Sequence, residues 1–320
     1  MKVWRPVRTS ISAGRRSVRA RSLTRTLIRR NLNPSESVIL CSDTRSGSTW
    51  LMELIGQLPG TVCNWEPMHP GRGVLPPEWN MGSRPYVPED RPDARLETWF
   101  DDLLRFRIGN HWTLSRADPA AAAAATVGVH KFVRASLLLP WMVRHLPLER
   151  PPIFLVRHPL AAIASKNTNF GILRTTAADW SPVVDESLEP YARIIAEQED
   201  PVLVRIARWC YANRVALNHP HAGRDWAVVH YEHLLLDPEE TFRGVLDRLR
   251  WTTAGPDPVA SVDFGRASTS DFLGVLAASP LQQLAKWRDD VDRDLVTRTQ
   301  DLLDRFGIVD YRANEVLPTV

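Results

Sequence analysis

Short apolar runs alternate with segments of helical spacing along much of the chain. In residues 49–58 the apolar side chains recur at 50, 51, 54, 55 and 58, which predicts a helix with one buried face. The predicted strands are 38–41, a short run in "PGTVCNWEP", "VGVHKFV" from 127, "IFLV" at 153–156 and "WAVVHY" from 226. The further predicted helices are 136–146, 160–167 and 238–249. This alternation predicts an α/β fold of three layers, with helices on both faces of a mostly parallel central sheet.

The carboxyl ends of the predicted strands are where a ligand is expected. In open parallel sheets, ligands bind in the crevice beyond those ends. The segments "CSDTRSGST", "FLVRHP" and "VVHYEHL" follow three of the strands, so we expect them to converge on one crevice. The proline-rich stretch 67–95 reads as a long irregular loop, and such loops commonly line a substrate cleft.

Composition and charge divide the chain into two parts. Residues 1–30 hold ten Lys and Arg and no acidic residue, whereas the rest of the 320-residue chain carries 30 basic against 37 acidic side chains. The main body therefore lacks the basic surface expected of a nucleic-acid-binding protein. We predict a basic segment over 1–34, flexible or helical, and a single domain over 35–320. Because this segment is basic, weak contact with a membrane surface is one role that the sequence allows for it.

The remaining composition favours a cytoplasmic protein without a metal site. The apolar stretch 137–143 is too short to span a bilayer, which needs ~20 residues. Cys41, Cys63 and Cys210 are odd in number and widely spaced, so no disulfide framework is predicted and a reducing compartment is favoured. The histidines of "HPH" and "HYEH" do not have the spacing of a metal-binding helix, and no metal is expected.

The segment "TRSGSTW" has the chemistry of an anion site. A turn of small residues between a strand and a helix directs backbone N–H groups and a helix N-terminus at one point. The segment lacks the second glycine and the lysine of a Walker A loop, and no strand ends in a convincing Mg²⁺-binding aspartate. An arginine, several hydroxyl groups and a helix N-terminus therefore form the expected anion cradle.

Four segments resemble the sulfotransferases that use 3′-phosphoadenosine 5′-phosphosulfate (PAPS), especially carbohydrate-type and bacterial members. "TRSGSTW" is similar to the 5′-phosphosulfate loop of that family, and "IFLVRHPLAAIASKN" to its 3′-phosphate motif, with Ser165 eight residues after Arg157. "VVHYEHLLLDPEETFRGVLDRL" and "KWRDDVDRDLVTRTQDLLDRFGIVDY" resemble later segments of the family. The motifs stand in family order over 38–311. The stretch 168–200 matches none of them and is expected, with the loop 67–95, to set acceptor specificity.

The resemblance implies a PAPS-binding site with PAP as product. Arg45 would neutralise the 5′-phosphate electrostatically, since an arginine stays protonated. The other implied cofactor-binding residues are Ser46, Gly47, Ser48, Thr49, Trp50, Arg157, Ser165 and Arg288. Trp50 would stack on adenine or pack in the core. His158 stands where the family usually has aspartate, so any contact that this aspartate makes is in doubt.

The resemblance also implies a catalytic base at the end of the second strand. Glu66 of "CNWEPMHP" occupies that place, and His69 is the alternative. Lys131 and Arg134 of "HKFVR" end another strand and could assist transfer, bind an acidic acceptor or be surface cations. The acceptor would be a hydroxyl group of a carbohydrate, glycolipid or other small molecule. The tryptophans around the loop suit stacking on an acceptor or packing in the core.

Two other functions remain open from the sequence. A P-loop-like kinase would use ATP and Mg²⁺, and a non-catalytic nucleotide-binding module would use the cradle only to hold its ligand. The sequence does not indicate the acceptor or the oligomeric state.

Overall fold

The core of the protein is a five-stranded sheet in which every strand pairs in parallel, in the order β2-β3-β1-β4-β5. A computed structural model describes residues 7–170, 185–252, 256–266, 268 and 279–320. The strands are β1 (Val38–Ser42), β2 (Thr61–Trp65), β3 (Val127–Phe132), β4 (Ile153–Val156) and β5 (Ala227–His230). The α/β class and the parallel sheet are confirmed.

The helices lie between and after these strands. Those before β4 are α1 (Val7–Arg30), α2 (Ser48–Ile55), α3 (Ala94–Leu104), α4 (Pro119–Ala124) and α5 (Leu139–His145). Those after it are α6 (Pro159–Phe170), α7 (Glu189–Ala196), α8 (Pro201–Asn218), α9 (Tyr231–Leu236), α10 (Pro238–Arg248), α11 (Pro280–Ala285) and α12 (Arg293–Arg305). Short 3₁₀ turns occupy Pro34–Glu36, Pro77–Trp79, Ser136–Leu138, Pro258–Ser261 and Lys286–Asp290.

Both faces of the sheet are covered, as three layers require. Along β1, Ile39 and Cys41 pack into one apolar cluster and Val38 and Leu40 into another. Successive strand side chains point to opposite faces, so the sheet separates two cores. The first cluster draws on α3, α5, α6, α8 and α12, and the second on α2 and α10.

Aspartate side chains begin several of these helices. Asp93 accepts hydrogen bonds from the backbone N–H groups of Arg95 and Leu96, and Asp118 from those of Ala120 and Ala121. The same arrangement caps α8, α10 and α12, through Asp200, Asp237 and Asp292. A capping side chain satisfies backbone donors that the helix cannot and is worth about 1 kcal/mol, which explains where these helices start.

The basic segment is helical over α1, and its second half packs on the body. Ala20, Leu23 and Leu27 are buried in a third apolar cluster near β2 and α4. Arg19 and Arg30 donate side-chain hydrogen bonds of 2.9 Å to the carbonyls of Ala117 and Ala125. Residues 1–6 of the basic segment, and 171–184 of the stretch expected to set specificity, lie outside the described residues.

Three further properties bear on the sequence-based expectations. None of the described helices is both long and apolar enough to cross a membrane. In the described part of the chain, no three His, Cys, Asp or Glu side chains lie together in a group that could hold a metal ion. Cys41, Cys63 and Cys210 are free and buried, and burial raises the pKa of the Cys63 thiol to about 12.

Candidate active site

The turn between β1 and α2 is built around a left-handed glycine. Gly47 has φ 88° and ψ 5°, and a Cβ added there would clash with the ring of Tyr231. Only glycine meets both conditions without strain. Beside it, the Ser42 hydroxyl donates a 2.8 Å hydrogen bond to that of Ser48, the first residue of α2. The turn is thereby fixed against the helix N-terminus, where backbone N–H groups favour an anion.

The ends of β1, β4 and β5 meet at this turn, as the sequence predicted. The Arg45 Nε atom donates to the Ser165 hydroxyl on α6 at 3.0 Å. The Arg157 Nη1 atom donates to the Arg45 carbonyl at 3.4 Å, and its guanidinium lies 4.5 Å from the centre of the Tyr231 ring. Trp50 meets Tyr231 edge to face, with centroids 6.3 Å apart. Two guanidinium groups and two hydroxyl-bearing segments therefore surround one point.

Two buried donors in this cradle lack partners. The Ser46 hydroxyl and the Arg157 Nε atom are buried, and neither has a hydrogen-bond partner in the described part of the chain. Burying a polar group without a partner costs about 1–3 kcal/mol, so such groups in a crevice commonly serve a ligand. Both are donors to an oxyanion, and the residues present therefore fit a phosphate or sulfate group.

Glu66 follows β2 and lies in a network of charges and aromatic rings. Its Oε1 atom accepts a 2.8 Å hydrogen bond from the Lys131 Nζ atom, which lies 3.4 Å from the Thr49 hydroxyl. Nζ is also 3.8 Å from the centre of the Trp65 ring. Burial lowers the pKa of Lys131, and the Glu66 carboxylate opposes that shift. Lys131 thus links the candidate base to the first turn of α2.

Two residues of the site have unusual backbone conformations. Arg45 has φ 68° and Glu66 has φ 42°, both in the left-handed region that non-glycine residues seldom adopt. Such conformations cost of order 1–3 kcal/mol and cluster at functional sites. Arg45 and Glu66, which the sequence resemblance marks as catalytic, are two of the six described non-glycine residues with positive φ.

His69 is oriented differently from Glu66. Its Nδ1 atom lies 2.7 Å from the carbonyl of Pro70, and its ring meets the Trp112 ring edge to face at 5.1 Å. The backbone N–H of His69 donates to the carbonyl of Glu66. Among the described residues, the His69 side chain contacts its own loop and Trp112, whereas Glu66 is joined through Lys131 to the anion cradle.

The long loop closes on the sheet through an ion pair that the sequence analysis missed. Arg84 donates from Nη2 to the Oδ1 atom of Asp43 at 2.7 Å, and the Asp43 side chain is 0% exposed. Arg134 lies close enough for the charges of Arg84, Asp43 and Glu66 to act on its pKa, which burial lowers. Asp43 was the sequence feature that could have indicated this pair. An acidic residue in an anion-binding turn needs a cation beside it to neutralise its charge.

A buried cluster supports Arg157 from behind. The backbone N–H of His158 donates to Glu232 Oε1 and the Tyr311 hydroxyl to Oε2, both at 2.9 Å. Burial raises the pKa of Glu232, although these hydrogen bonds and the Arg157 charge oppose the shift. The His158 ring stacks on Trp287 at 4.7 Å, and burial lowers its pKa to about 3. In the sequence, the glutamate in "HYEHL" was the one sign of this cluster.

Arg288 lies near this cluster. Its charge contributes to the lowered pKa of His158, and its Nη2 atom donates to the Asn314 carbonyl at 2.6 Å. The other predicted cofactor-binding residues lie on the β1–α2 turn and the first turn of α2, directly after β4, and within α6. Of the tryptophans near the loop, Trp99 is buried in the core and donates to the Val74 carbonyl, while Trp65 contacts Trp112.

Comparisons with known proteins give structural likeness alone. No protein-family model matches the chain, and no curated protein matches it. Among similar solved structures, "Sulfotransferase Domain from the Synechococcus PCC 7002 Olefin Synthase" is 18% identical, with a TM-score of 0.45 over 87% of this chain and 95% of that one. "Sulfotransferase Domain from the Curacin Biosynthetic Pathway" is 16% identical, with a TM-score of 0.43 over 85% and 97%. A sulfotransferase from Alicyclobacillus acidocaldarius is 15% identical, with a TM-score of 0.37 over 84% and 96%. Because these values are low, function is inferred from the site alone.

Proposed function

We propose that this chain is a sulfotransferase that moves a sulfuryl group from PAPS to a hydroxyl group of a carbohydrate, glycolipid or other small-molecule acceptor. The observation that carries the proposal is the anion cradle on the β1–α2 turn. There the Ser46 hydroxyl, which has no hydrogen-bond partner among the described residues, surrounds one point together with the left-handed Gly47, Arg45 and Arg157. The cradle suits an oxyanion and includes no lysine of the Walker type.

The residues of the cradle have distinct proposed roles. Ser46, Gly47, Ser48 and Thr49 hold the 5′-phosphosulfate through backbone and hydroxyl groups, and Arg45 stabilises the charge that develops on the leaving phosphate. Arg157 and Ser165 bind the 3′-phosphate, because a guanidinium can donate two parallel hydrogen bonds to a phosphate. Trp50 and Arg288 are proposed, respectively, to stack on adenine and to bind the nucleotide.

Glu66 is the proposed general base. In the transfer, the acceptor oxygen bonds to sulfur, the bond between sulfur and the 5′-phosphate oxygen breaks with its electron pair, and the acceptor proton passes to Glu66. PAP and the sulfated acceptor are the products. Lys131 is a positioning residue: its hydrogen bond to Glu66 holds the carboxylate toward Thr49 and therefore toward the cradle. No residue of this scheme requires a metal ion.

The proposal is tested by calorimetric titration with PAP, adenosine 5′-phosphate, and ATP with Mg²⁺. We expect PAP to bind more tightly than either other nucleotide. Arg157→Ala should weaken PAP binding by about 10- to 150-fold, since a charge-assisted hydrogen bond contributes about 1.5–3 kcal/mol. Arg144→Ala, which removes an exposed arginine of α5, is the control and should leave PAP affinity unchanged. Preference for ATP with Mg²⁺, or indifference to the 3′-phosphate, would overturn the proposal in favour of a kinase.

A second assay separates an enzyme from a nucleotide-binding module. Transfer of radiolabelled sulfate from PAPS to a panel of hydroxyl compounds should give a product with the wild-type protein. Tight PAP binding with no product from any acceptor class, or with product formation unchanged in Glu66→Gln, would contradict the proposed catalytic role.

A further inference from the structure

Arg134, just beyond the carboxyl end of β3, is a cation that forms no ion pair with any described residue. The Arg134 Nε atom is buried without a hydrogen-bond partner, and within the described residues its guanidinium forms no ion pair. The side chain is partly buried, two residues beyond the end of β3. A partly desolvated guanidinium remains charged, so its unmade hydrogen bonds are a cost to the folded protein.

The carboxylates that act on Arg134 already have other partners. Asp43 accepts from Arg84 at 2.7 Å, and Glu66 accepts from Lys131 at 2.8 Å. Among the described residues that act on Arg134, the two carboxylates Asp43 and Glu66 each accept a hydrogen bond from another cation. The Arg84 Nη1 atom is also buried without a hydrogen-bond partner in the described residues. Within the described residues, the guanidinium of Arg134 and the two buried donors Arg134 Nε and Arg84 Nη1 are therefore available to a ligand.

Position in the sheet separates this cation from the donor-binding cradle. Arg45 and Arg157 follow β1 and β4, where the proposed nucleotide site lies. Arg134 follows β3, whose other neighbour is β2, and the proposed base Glu66 directly follows β2. The anion that Arg134 suits therefore belongs on the side where the acceptor hydroxyl must lie to reach Glu66.

We propose that the acceptor carries an anionic group, a carboxylate or a phosphate, which Arg134 binds with Arg84 beside it. This inference rests on the proposed sulfotransferase function and specifies its substrate class. The acceptor is a hydroxyl compound that bears an acidic group within reach of the hydroxyl. Arg134 binds the acidic group of the acceptor, while Glu66 accepts the proton of its hydroxyl group.

The test uses pairs of hydroxyl compounds that differ only in charge: 4-hydroxyphenylacetate and its amide, 3-hydroxydecanoate and its methyl ester, and glucose 6-phosphate and glucose. Each compound is titrated calorimetrically into the PAP-saturated protein. We expect the anionic member of at least one pair to bind at least tenfold more tightly than the neutral one. In Arg134→Gln this preference should fall to within about twofold, with the neutral member's affinity unchanged.

Two further variants distinguish charge recognition from a loss of structure. Arg134→Lys keeps the charge and should retain part of the preference, and Arg144→Gln removes an exposed arginine of α5 and should retain all of it. PAP affinity and the midpoint of thermal unfolding should be the same in the wild type and in all three variants.

The outcomes separate this inference from the proposed function. The absence of an anionic preference in every pair, or its persistence in Arg134→Gln, would overturn the anionic acceptor while PAP binding stands. An equal loss of turnover for both members of a pair would assign Arg134 to sulfuryl transfer and also overturn it. If PAP does not bind, the donor assignment fails, and the same titrations on the free protein still decide whether Arg134 selects an anion.

Discussion

The two sides of the crevice differ in how their charged side chains are paired. On the side of β1 and β4, Arg45 and Arg157 lie beside small residues, and the buried donors Ser46 Oγ and Arg157 Nε have no hydrogen-bond partner among the described residues. On the side of β2 and β3, Lys131 is paired with Glu66, and Arg84 reaches from the long loop to Asp43 directly after β1. The first side is left open for a multiply charged ligand, whereas the second is neutralised by the protein except at Arg134. Donor binding and acceptor choice can therefore be separated by mutation.

The largest expected effect is on the side of β2. Glu66→Gln keeps the shape of the side chain but cannot take a proton, so sulfuryl transfer should fall by about 10²–10⁴-fold. PAP affinity should stay within about twofold, because Glu66 is not part of the proposed nucleotide site. Single-turnover transfer and PAP titration measure the two quantities. A parallel loss of both would mean that the two sides of the crevice are not separable.

Lys131→Met tests whether the lysine positions the base. The variant removes a hydrogen bond of 2.8 Å to Glu66 and the link to Thr49. We expect turnover to fall by about 10- to 100-fold, the equivalent of one charge-assisted hydrogen bond. Because Glu66 remains, the pH dependence of turnover should change in Lys131→Met, whereas a merely structural lysine would alter stability with the pH profile unchanged. Lys131→Arg, which keeps the charge, should recover part of the activity.

The side of β1 is tested through its glycine. Gly47→Ala adds a Cβ against the Tyr231 ring at a left-handed position, so it should displace Tyr231 and weaken PAP binding by about tenfold or more. Gly71→Ala is the matched control, because Gly71 has φ 70° and an added Cβ would meet nothing within 4 Å. It carries the backbone strain without the clash. Equal PAP affinity in the two variants would contradict the role of the close packing.

The same two sides differ in how far the sequence predicts them. The β1 side is made of contiguous segments, each a strand followed by a turn and a helix, so that Arg45, Arg157 and Ser165 could be placed together from local patterns. Glu66 could be placed at a strand end for the same reason. The pairing of Arg84 with Asp43 could not, because it joins a long irregular loop to a strand end 41 residues away in the chain.

Packing rather than pattern also determines the rest of the site. The contact between Glu232 and Tyr311 joins residues 79 positions apart and depends on how the C-terminal segment lies against β5. Helix α8 begins after the capping residue Asp200. It is buried on several sides, and its buried residues include the polar Arg205 and Asn213, so its sequence does not show a single apolar face. Such features follow from tertiary context, which overrides local spacing.

The smallest expected effect compares how well the two sides exclude water. His130 on β3 and His158 after β4 are both fully buried, and burial lowers the pKa of each to about 3. The unfolded chain binds a proton at each histidine below its ordinary pKa of about 6.5, whereas the folded protein does not. Each should therefore reduce the free energy of unfolding by about 1.4 kcal/mol per pH unit as pH falls from 6.5 toward 3.

Urea unfolding of His130→Gln and His158→Gln between pH 7.5 and 4.5 measures these contributions. Each variant should lose about 1.4 kcal/mol per pH unit of the wild-type slope below pH 6.5, since it removes one titrating group from the unfolded state. At pH 7.5 the slope should be unchanged, and substitution of the exposed His111 by glutamine serves as the control. Equal losses would show that both sides of the crevice are equally sealed beneath the site. If only His158→Gln kept the wild-type dependence of unfolding free energy on pH, water would reach the buried cluster around His158 that contacts Arg157. The two sides would then differ in burial as well as in charge.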